Sequence, residues 1–363
     1  MGYHLARRDK LRRAVRKTGA DALLVTSFTN VTYLSGFSGD DSFLLVGRDT
    51  DVILSDGRYT TQIEEECLGL ETYIRPGGEG MFEAVAEIVG KMKATKLGVE
   101  SQSMTVSLYN RLDKDLAKVA LVSTAGLVEK LREIKDKREI EATRRAIEIT
   151  ERGFAVLRAT LRPEKTEKQV ADELEYQMRL FGAKSIAFPS IVAVGPRAAL
   201  PHATPGDSQI GESNHLLVDW GANEGQYNGD LTRVLVTGRI SPKLQRVYRV
   251  VLEAQLAGIE AVRPGAVAKD VDQVARKVID EAGFGRYFGH GLGHGLGLDV
   301  HEAPRLGVSS ETVLKPGMIV TVEPGVYLPG WGGVRIEDDV LVTRTGHEVL
   351  SGVAKSFEES IVG

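Results

Sequence analysis

Residues 161–183, LRPEKTEKQVADELEYQMRLFGA, and residues 262–284, VRPGAVAKDVDQVARKVIDEAGF, echo one another at an offset of 101 residues. Arg162-Pro163 aligns with Arg263-Pro264, Lys168 with Lys269, Val170 with Val271 and Gly182 with Gly283. The first copy reads as a helix over 166–181 with Val170, Leu174, Met178 and Phe181 on its apolar face. Thr166 and Gln169 fit a capping box at its start, and Gly182 fits the stop at its end. A further helical run precedes each copy. Before the first, the charged stretch from Leu127 to Pro163 repeats Ile140, Ile147, Phe154 and Leu161 every seven residues. Before the second, Ser241-Pro242 supplies a cap and a first-turn proline. Strand-like sequence follows each copy. Similarity at a fixed offset marks a duplicated unit, so residues 127–363 are expected to form one domain of two similar helix–helix–sheet halves.

Upstream the pattern is different. Over residues 1–126, short apolar runs (DALLVTS, SFLLVG, DVILSD, KLGVE) alternate with helical sequence such as EGMFEAVAEIVGKM. This predicts a small N-terminal α/β domain, and the chain as a whole is expected to be mixed α/β (α+β). A length of 363 residues suits two domains. The basic start, MGYHLARRDKLRRAVRK, reads as a solvated amphipathic helix with Leu11, Ala14 and Val15 on one stripe. It lacks the apolar centre of an export signal, and no apolar run has the length of a membrane span. Net charge of -4 gives no drive toward nucleic acid. The lone Cys67 can form no internal disulfide, which fits a reducing compartment, so a cytoplasmic location is expected.

Carboxylates interrupt the strands of both halves. In HLLVDWGANEGQYNGDLTRVLVTG, read as a hairpin, Asp219 ends one strand and Asp230 begins the next. In the second half Glu323 stands at the end of the strand in MIVTVEPGVY, and Glu337 is expected inside the strand GGVRIEDDVLVT. Alternation there puts Val334 and Ile336 on one face, with Arg335, Glu337 and Asp339 on the other. Asp is disfavoured in strands, and a buried carboxylate without a partner is costly. Singly, each reads as a turn or surface residue. Four at matched places in duplicated halves point to a shared cluster needing about two divalent cations.

Residues 288–302, FGHGLGHGLGLDVHE, add three histidines among five glycines. A dinucleotide-type glycine loop fails, because Leu296 stands where the third glycine belongs. A plain glycine-rich turn stays open beside a metal site in which one histidine joins the carboxylates. Four oxygen donors and one imidazole suit manganese, cobalt, iron or zinc. A pair of such ions activates water and polarises a carbonyl oxygen, so hydrolysis is the implied chemistry.

In the order DWG, NGDLTR, HGLGHGLGLDVHEAP, VEPGVY and VRIEDDVLVT, the sequence resembles the proline-specific branch of the pita-bread metallopeptidases along essentially its whole length. The resemblance implies the ligands Asp219, Asp230, His294, Glu323 and Glu337 around two divalent ions, manganese first. Asp230 and Glu337 would bridge, Asp219 would hold one ion, and His294 and Glu323 the other. It implies that His202 (in ALPHATPG) and His301 contact the scissile peptide, that His290 lines a proline pocket, and that Tyr327 and Arg335 support the ligands. Glu323 is the implied general base. The implied reaction is cleavage of Xaa-Pro bonds in proline-containing peptides by a homodimer. VTYLSGFSGDDSFLLV and LSDGRYTTQ resemble the first domain of short bacterial Xaa-Pro aminopeptidases, which favours that activity. Arg305 in HEAPR, able to grip a free carboxylate, favours an Xaa-Pro dipeptidase instead. Both tryptophans, Trp220 and Trp331, lie in the second domain, whereas some family aminopeptidases close the site with one from the first. A metal-free creatinase-like enzyme or a non-catalytic binding protein would have lost the carboxylates.

Overall fold

The computed structural model describes residues 2–362 and divides into two compact units, one up to Arg132 and one from Glu133 on. The first is a six-stranded sheet: β1 (Ala22–Val25), β2 (Phe43–Val46), β3 (Asp51–Asp56), β4 (Glu71–Arg75), β5 (Lys96–Glu100) and β6 (Ala120–Thr124), ordered β4-β3-β2-β1-β5-β6. β1, β2 and β3 pair antiparallel; β3/β4, β1/β5 and β5/β6 pair parallel. Parallel neighbours need a crossover. The helices Thr60–Glu66 and Val106–Asp115 provide it for β3/β4 and β5/β6, and the helix Met81–Lys91, between β4 and β5, buries Ala84, Val85, Ile88 and Val89 in a core with Leu24, Leu45, Leu54 and Leu97.

The N-terminal helix, Gly2–Lys17, departs from the solvated expectation. It buries Leu11 and Val15, but also Arg7 and Arg8. Arg8 and Arg12 both bind Asp51, each at 2.8 Å, so its basic face is partly an internal ion-pair anchor. The change of pattern at residue 127 also falls six residues before the division between the units. The short helix Glu129–Arg132 stays with the first unit, because Asn30 donates to Glu129 at 2.6 Å and accepts from Arg132 at 3.0 Å. The long helix expected from Leu127 starts only at Lys137, where Asp136 and Glu139 close a capping box, and runs to Thr160.

The second unit holds strands β7 (Ser185–Ile186), β8 (Ile191–Val194), β9 (His215–Trp220), β10 (Ala222–Glu224), β11 (Tyr227–Asn228) and β12 (Leu231–Val236) in its first half. Its second half holds β13 (Gly293–Gly295), β14 (Glu302–Leu306), β15 (Ile319–Val322), β16 (Gly325–Leu328), β17 (Gly332–Arg335), β18 (Asp338–Val342) and β19 (His347–Val349). The order β12-β9-β8 in one half is matched by β18-β15-β13 within the five-stranded sheet of the other. The helix pairs are Lys137–Thr160 with Glu167–Leu180, and Pro242–Ala261 with Ala268–Glu281.

The sequence echo reappears in the backbone hydrogen bonds. Lys168 N–H donates to the Gly206 carbonyl and Lys269 N–H to the Ser310 carbonyl, both at 3.0 Å; Glu167 donates to Ser208 and Ala268 to Thr312, both at 2.9 Å. Thr166 bridges Gln209 as Val267 bridges Val313. The cap at Thr166 and the Ser241-Pro242 start are both present.

His215, at the start of β9, is buried against Trp331, with ring centroids 5.2 Å apart, and its Nε2 has no partner among the described residues. Burial lowers its imidazole to about 4. The unfolded chain takes up that proton near pH 6.5 and the folded chain does not. The contribution of His215 to stability is therefore expected to fall by up to about 3 kcal/mol as pH drops from near 6.5 to 4, then level off. Thermal unfolding at pH 7 and 5 checks this, since His215→Leu should flatten the slope.

Candidate metal and peptide site

The end of β9 is fixed by its neighbours before any site chemistry enters. The Trp220 indole N–H donates to the Thr150 carbonyl at 2.8 Å, and its ring stacks on Phe154 at 4.3 Å. Asp219 stands opposite Thr232 of the antiparallel partner β12, and Asp230 is the residue before β12. Glu323 follows the last residue of β15. Glu337 departs from expectation: it lies between β17 and β18, where the chain passes from one sheet to another, and not inside a strand. That break lets its carboxylate meet Thr232, whose hydroxyl donates to it at 2.6 Å.

The glycines flanking His294 have a steric reason. A Cβ on Gly293 would stand 2.0 Å from the Thr321 carbonyl oxygen, and one on Gly295 2.2 Å from that of Ala303. Strands on both sides press against the backbone of β13, holding His294 between them. Gly293→Ala is therefore expected to cost about 1–3 kcal/mol or more by overpacking. A melting temperature equal to wild type would refute this. The imidazole Nε2 of His294 lies 3.1 Å from Glu323 Oε1 and 3.7 Å from Asp230 Oδ2.

Ligand-type atoms of Asp230, His294 and Glu337 all lie within 4.8 Å of one another, and all three residues are buried. Burial, then Glu337 and Asp219, push the Asp230 carboxyl well above its usual range. Burial, then Glu323 and Asp219, do the same to Glu337. Burial also raises Asp219, against the pull of Arg335, which donates to it at 2.6 Å. For Glu323, burial is outweighed by the hydrogen bond and charge of His294, so its carboxyl ends below the usual range. Asp219 Oδ1 has no hydrogen-bond partner among the described residues. Crowded, buried carboxylates with a free oxygen and an adjacent imidazole are a donor set that divalent cations satisfy.

A cavity of about 760 Å³ opens onto this cluster and is lined by all eleven residues singled out above: His202, Asp219, Asp230, His290, His294, His301, Arg305, Glu323, Tyr327, Arg335 and Glu337. His301 packs edge-on to His294, centroids 4.3 Å apart. The Tyr327 hydroxyl accepts from Arg335 at 2.8 Å and meets His290 Nε2 at 3.0 Å. Arg305 is exposed at the wall and has no carboxylate partner among the described residues. Sequence reading missed Thr232, which joins Glu337 to Arg335, and the apolar wall of Phe188, Pro189 and Ile191. Period two from Asp230 places Thr232 on the same face, so that signal was present. The wall residues carry no such signal.

The sequence profile of metallopeptidase family M24 matches residues 141–344, and that of the creatinase/prolidase N-terminal domain matches residues 7–134. An Xaa-Pro dipeptidase from Pyrococcus horikoshii is 35% identical over 92% of this chain and 93% of its own length. The structure of an Xaa-Pro dipeptidase from Bacillus anthracis superposes with a TM-score of 0.94 at 38% identity, over 97% of this chain and 99% of that one. That of an X-Pro aminopeptidase from Thermotoga maritima gives 0.88 at 35% identity, over 96% and 99%.

Proposed function

This chain belongs to metallopeptidase family M24, and from that premise we propose that it hydrolyses the peptide bond before proline, foremost in Xaa-Pro dipeptides. The observation that carries the reading is the buried Asp230–His294–Glu337 cluster opening into the histidine-lined cavity. Asp219, Asp230, His294, Glu323 and Glu337 would hold two divalent ions, with manganese the first candidate. Bound there, such ions supply Lewis-acid polarisation of the scissile carbonyl and an acidified water.

The chain's own groups do the rest. His202 and His301 donate hydrogen bonds to substrate oxygen as negative charge develops on it. Glu323 takes up a proton at a carboxylate oxygen and returns it toward the departing proline nitrogen. That nitrogen carries no hydrogen in the substrate, so its ring must be held by shape, with His290 at the wall. Arg335 holds Asp219 and Tyr327 in place. Arg305, free of a carboxylate partner among the described residues, is suited to grip the C-terminal carboxylate of a dipeptide.

The relatives and Arg305 move the weight from aminopeptidase to dipeptidase. The aminopeptidase reading is retained because the cavity is large and the Thermotoga maritima structure is similar. The proposal extends to a cytoplasmic homodimer. Incubation with Xaa-Pro and with Xaa-Pro-Xaa-Xaa peptides tests it. Proline release from the dipeptide supports the first reading, and removal of the first residue from the tetrapeptide alone supports the second. Cleavage of neither, with metal bound, ends both.

A further inference from the structure

Two cavity histidines, His202 and His290, sit on irregular backbone and not in strands, yet their segments are held by ion pairs on buried carboxylates that do not line the cavity. For His290 the pair is Asp272 and Arg276, one helical turn apart on Ala268–Glu281. Arg276 forks onto Asp272, Nε to Oδ2 and a terminal nitrogen to Oδ1, both at 2.9 Å. The same guanidinium donates to the carbonyls of Phe288 at 3.1 Å and His290 at 2.8 Å. It also lies 4.2 Å from the Phe288 ring centroid, and that ring meets His290 edge-on at 5.0 Å. Asp272 Oδ1 accepts the Leu292 N–H at 2.9 Å. The five residues 288–292 are thus gripped at both ends and in the middle.

In the first half, Glu167 accepts from Val194 N–H at 2.8 Å and Gly206 N–H at 2.9 Å, the two ends of the segment carrying His202. Arg197 binds Glu167 at 2.8 Å and the Thr204 carbonyl at 2.6 Å. Both carboxylates are 0% exposed. An ion pair on a buried carboxylate is a poor route to net stability, since the cost of desolvating that carboxylate offsets much of the attraction. What a forked pair bonded to several backbone groups provides is fixed loop geometry.

We propose that Asp272–Arg276 is the positioning pair for His290, and Glu167–Arg197 that for His202, keeping both rings in register with the substrate. The inference rests on the peptidase reading of the cavity. Arg276→Met, at a partly exposed side chain, is expected to lower kcat/KM on an Xaa-Pro substrate roughly 10- to 100-fold, with metal content unchanged. In a His290→Ala background the same substitution should change kcat/KM by less than about twofold, because the pair acts through that ring. Equal losses in both backgrounds would overturn the proposal.

Hydrogen–deuterium exchange over 288–292 gives an answer independent of activity. Faster exchange at Leu292 in Arg276→Met is expected, and unchanged exchange would overturn the proposal even if the wild-type protein cleaves nothing, a result that by itself ends only the peptidase reading. Should Arg276→Met not fold, Arg276→Lys decides by the same measurements, since it keeps the charge and loses the fork. Arg197→Met with His202→Ala is the matching cycle for the first half.

Discussion

Glu337→Gln is expected to lower kcat/KM for Xaa-Pro hydrolysis by roughly 10⁴-fold, the scale seen when one member of a cooperating catalytic unit is removed. The substitution keeps the shape and an oxygen for the Thr232 hydroxyl, which donates to Glu337 at 2.6 Å. What it removes is one negative charge from a cluster that also holds Asp219, Asp230 and Glu323. Metal analysis should show ion content falling below wild type. The effect on stability should depend on metal. In chelator, Glu337→Gln is expected to melt higher than wild type, because it relieves repulsion among buried carboxylates. With manganese in excess it should melt lower, because it binds the ions less well. Wild-type turnover and metal content in this variant would refute the ligand assignment.

The parts of this architecture that were legible in sequence are those where a residue type conflicts with its local setting. Asp219 and Asp230 interrupt strand-forming sequence, and glycines crowd around His294, where a Cβ on Gly293 has no room. The 101-residue echo was legible because both copies keep the signals that start and stop a helix, and the paired bonds at Lys168 and Lys269 show what those signals serve. What escaped depends on distant partners. Arg8 and Arg12 look like solvent-facing charges until Asp51, on β3, arrives beside them. Glu167, in the first turn of its helix, and Asp272, in the second turn of its own, look like ordinary polar positions, and only the loops folding back over them bury their carboxylates. The break before Lys137 had a local signal in Asp136 and Glu139, hidden by charged, helix-compatible residues on both sides. Glu337 was misplaced by the same logic in reverse: alternation continues from Arg335 to Asp339 although the sheet does not.

Stripping the metal from the wild-type protein is expected to abolish turnover and lower its melting temperature by roughly 10 °C or more. Ligand at about a thousandfold above Kd contributes about 4 kcal/mol per site, and each kcal/mol shifts a domain of this size by about 2–4 °C. The size of the gap should depend on pH, with a sign fixed by the site. In the metal-free protein the carboxyls of Asp230 and Glu337 are held well above their usual range, by burial first, then by Glu337 and Asp219 for Asp230 and by Glu323 and Asp219 for Glu337. Groups whose folded pKa exceeds the unfolded one favour folding at low pH, and that contribution is lost as pH rises through the folded value. The chelated protein should therefore become less stable as pH rises from mildly acidic to alkaline. Metal binding requires these same groups deprotonated, so affinity rises over that interval. The two trends diverge, and the difference in melting temperature between loaded and chelated protein should widen steadily from about pH 5 to pH 8. Parallel melting curves across that range, or a chelated protein that keeps its turnover, would mean that these carboxylates are balanced within the chain, with no need for an added ion.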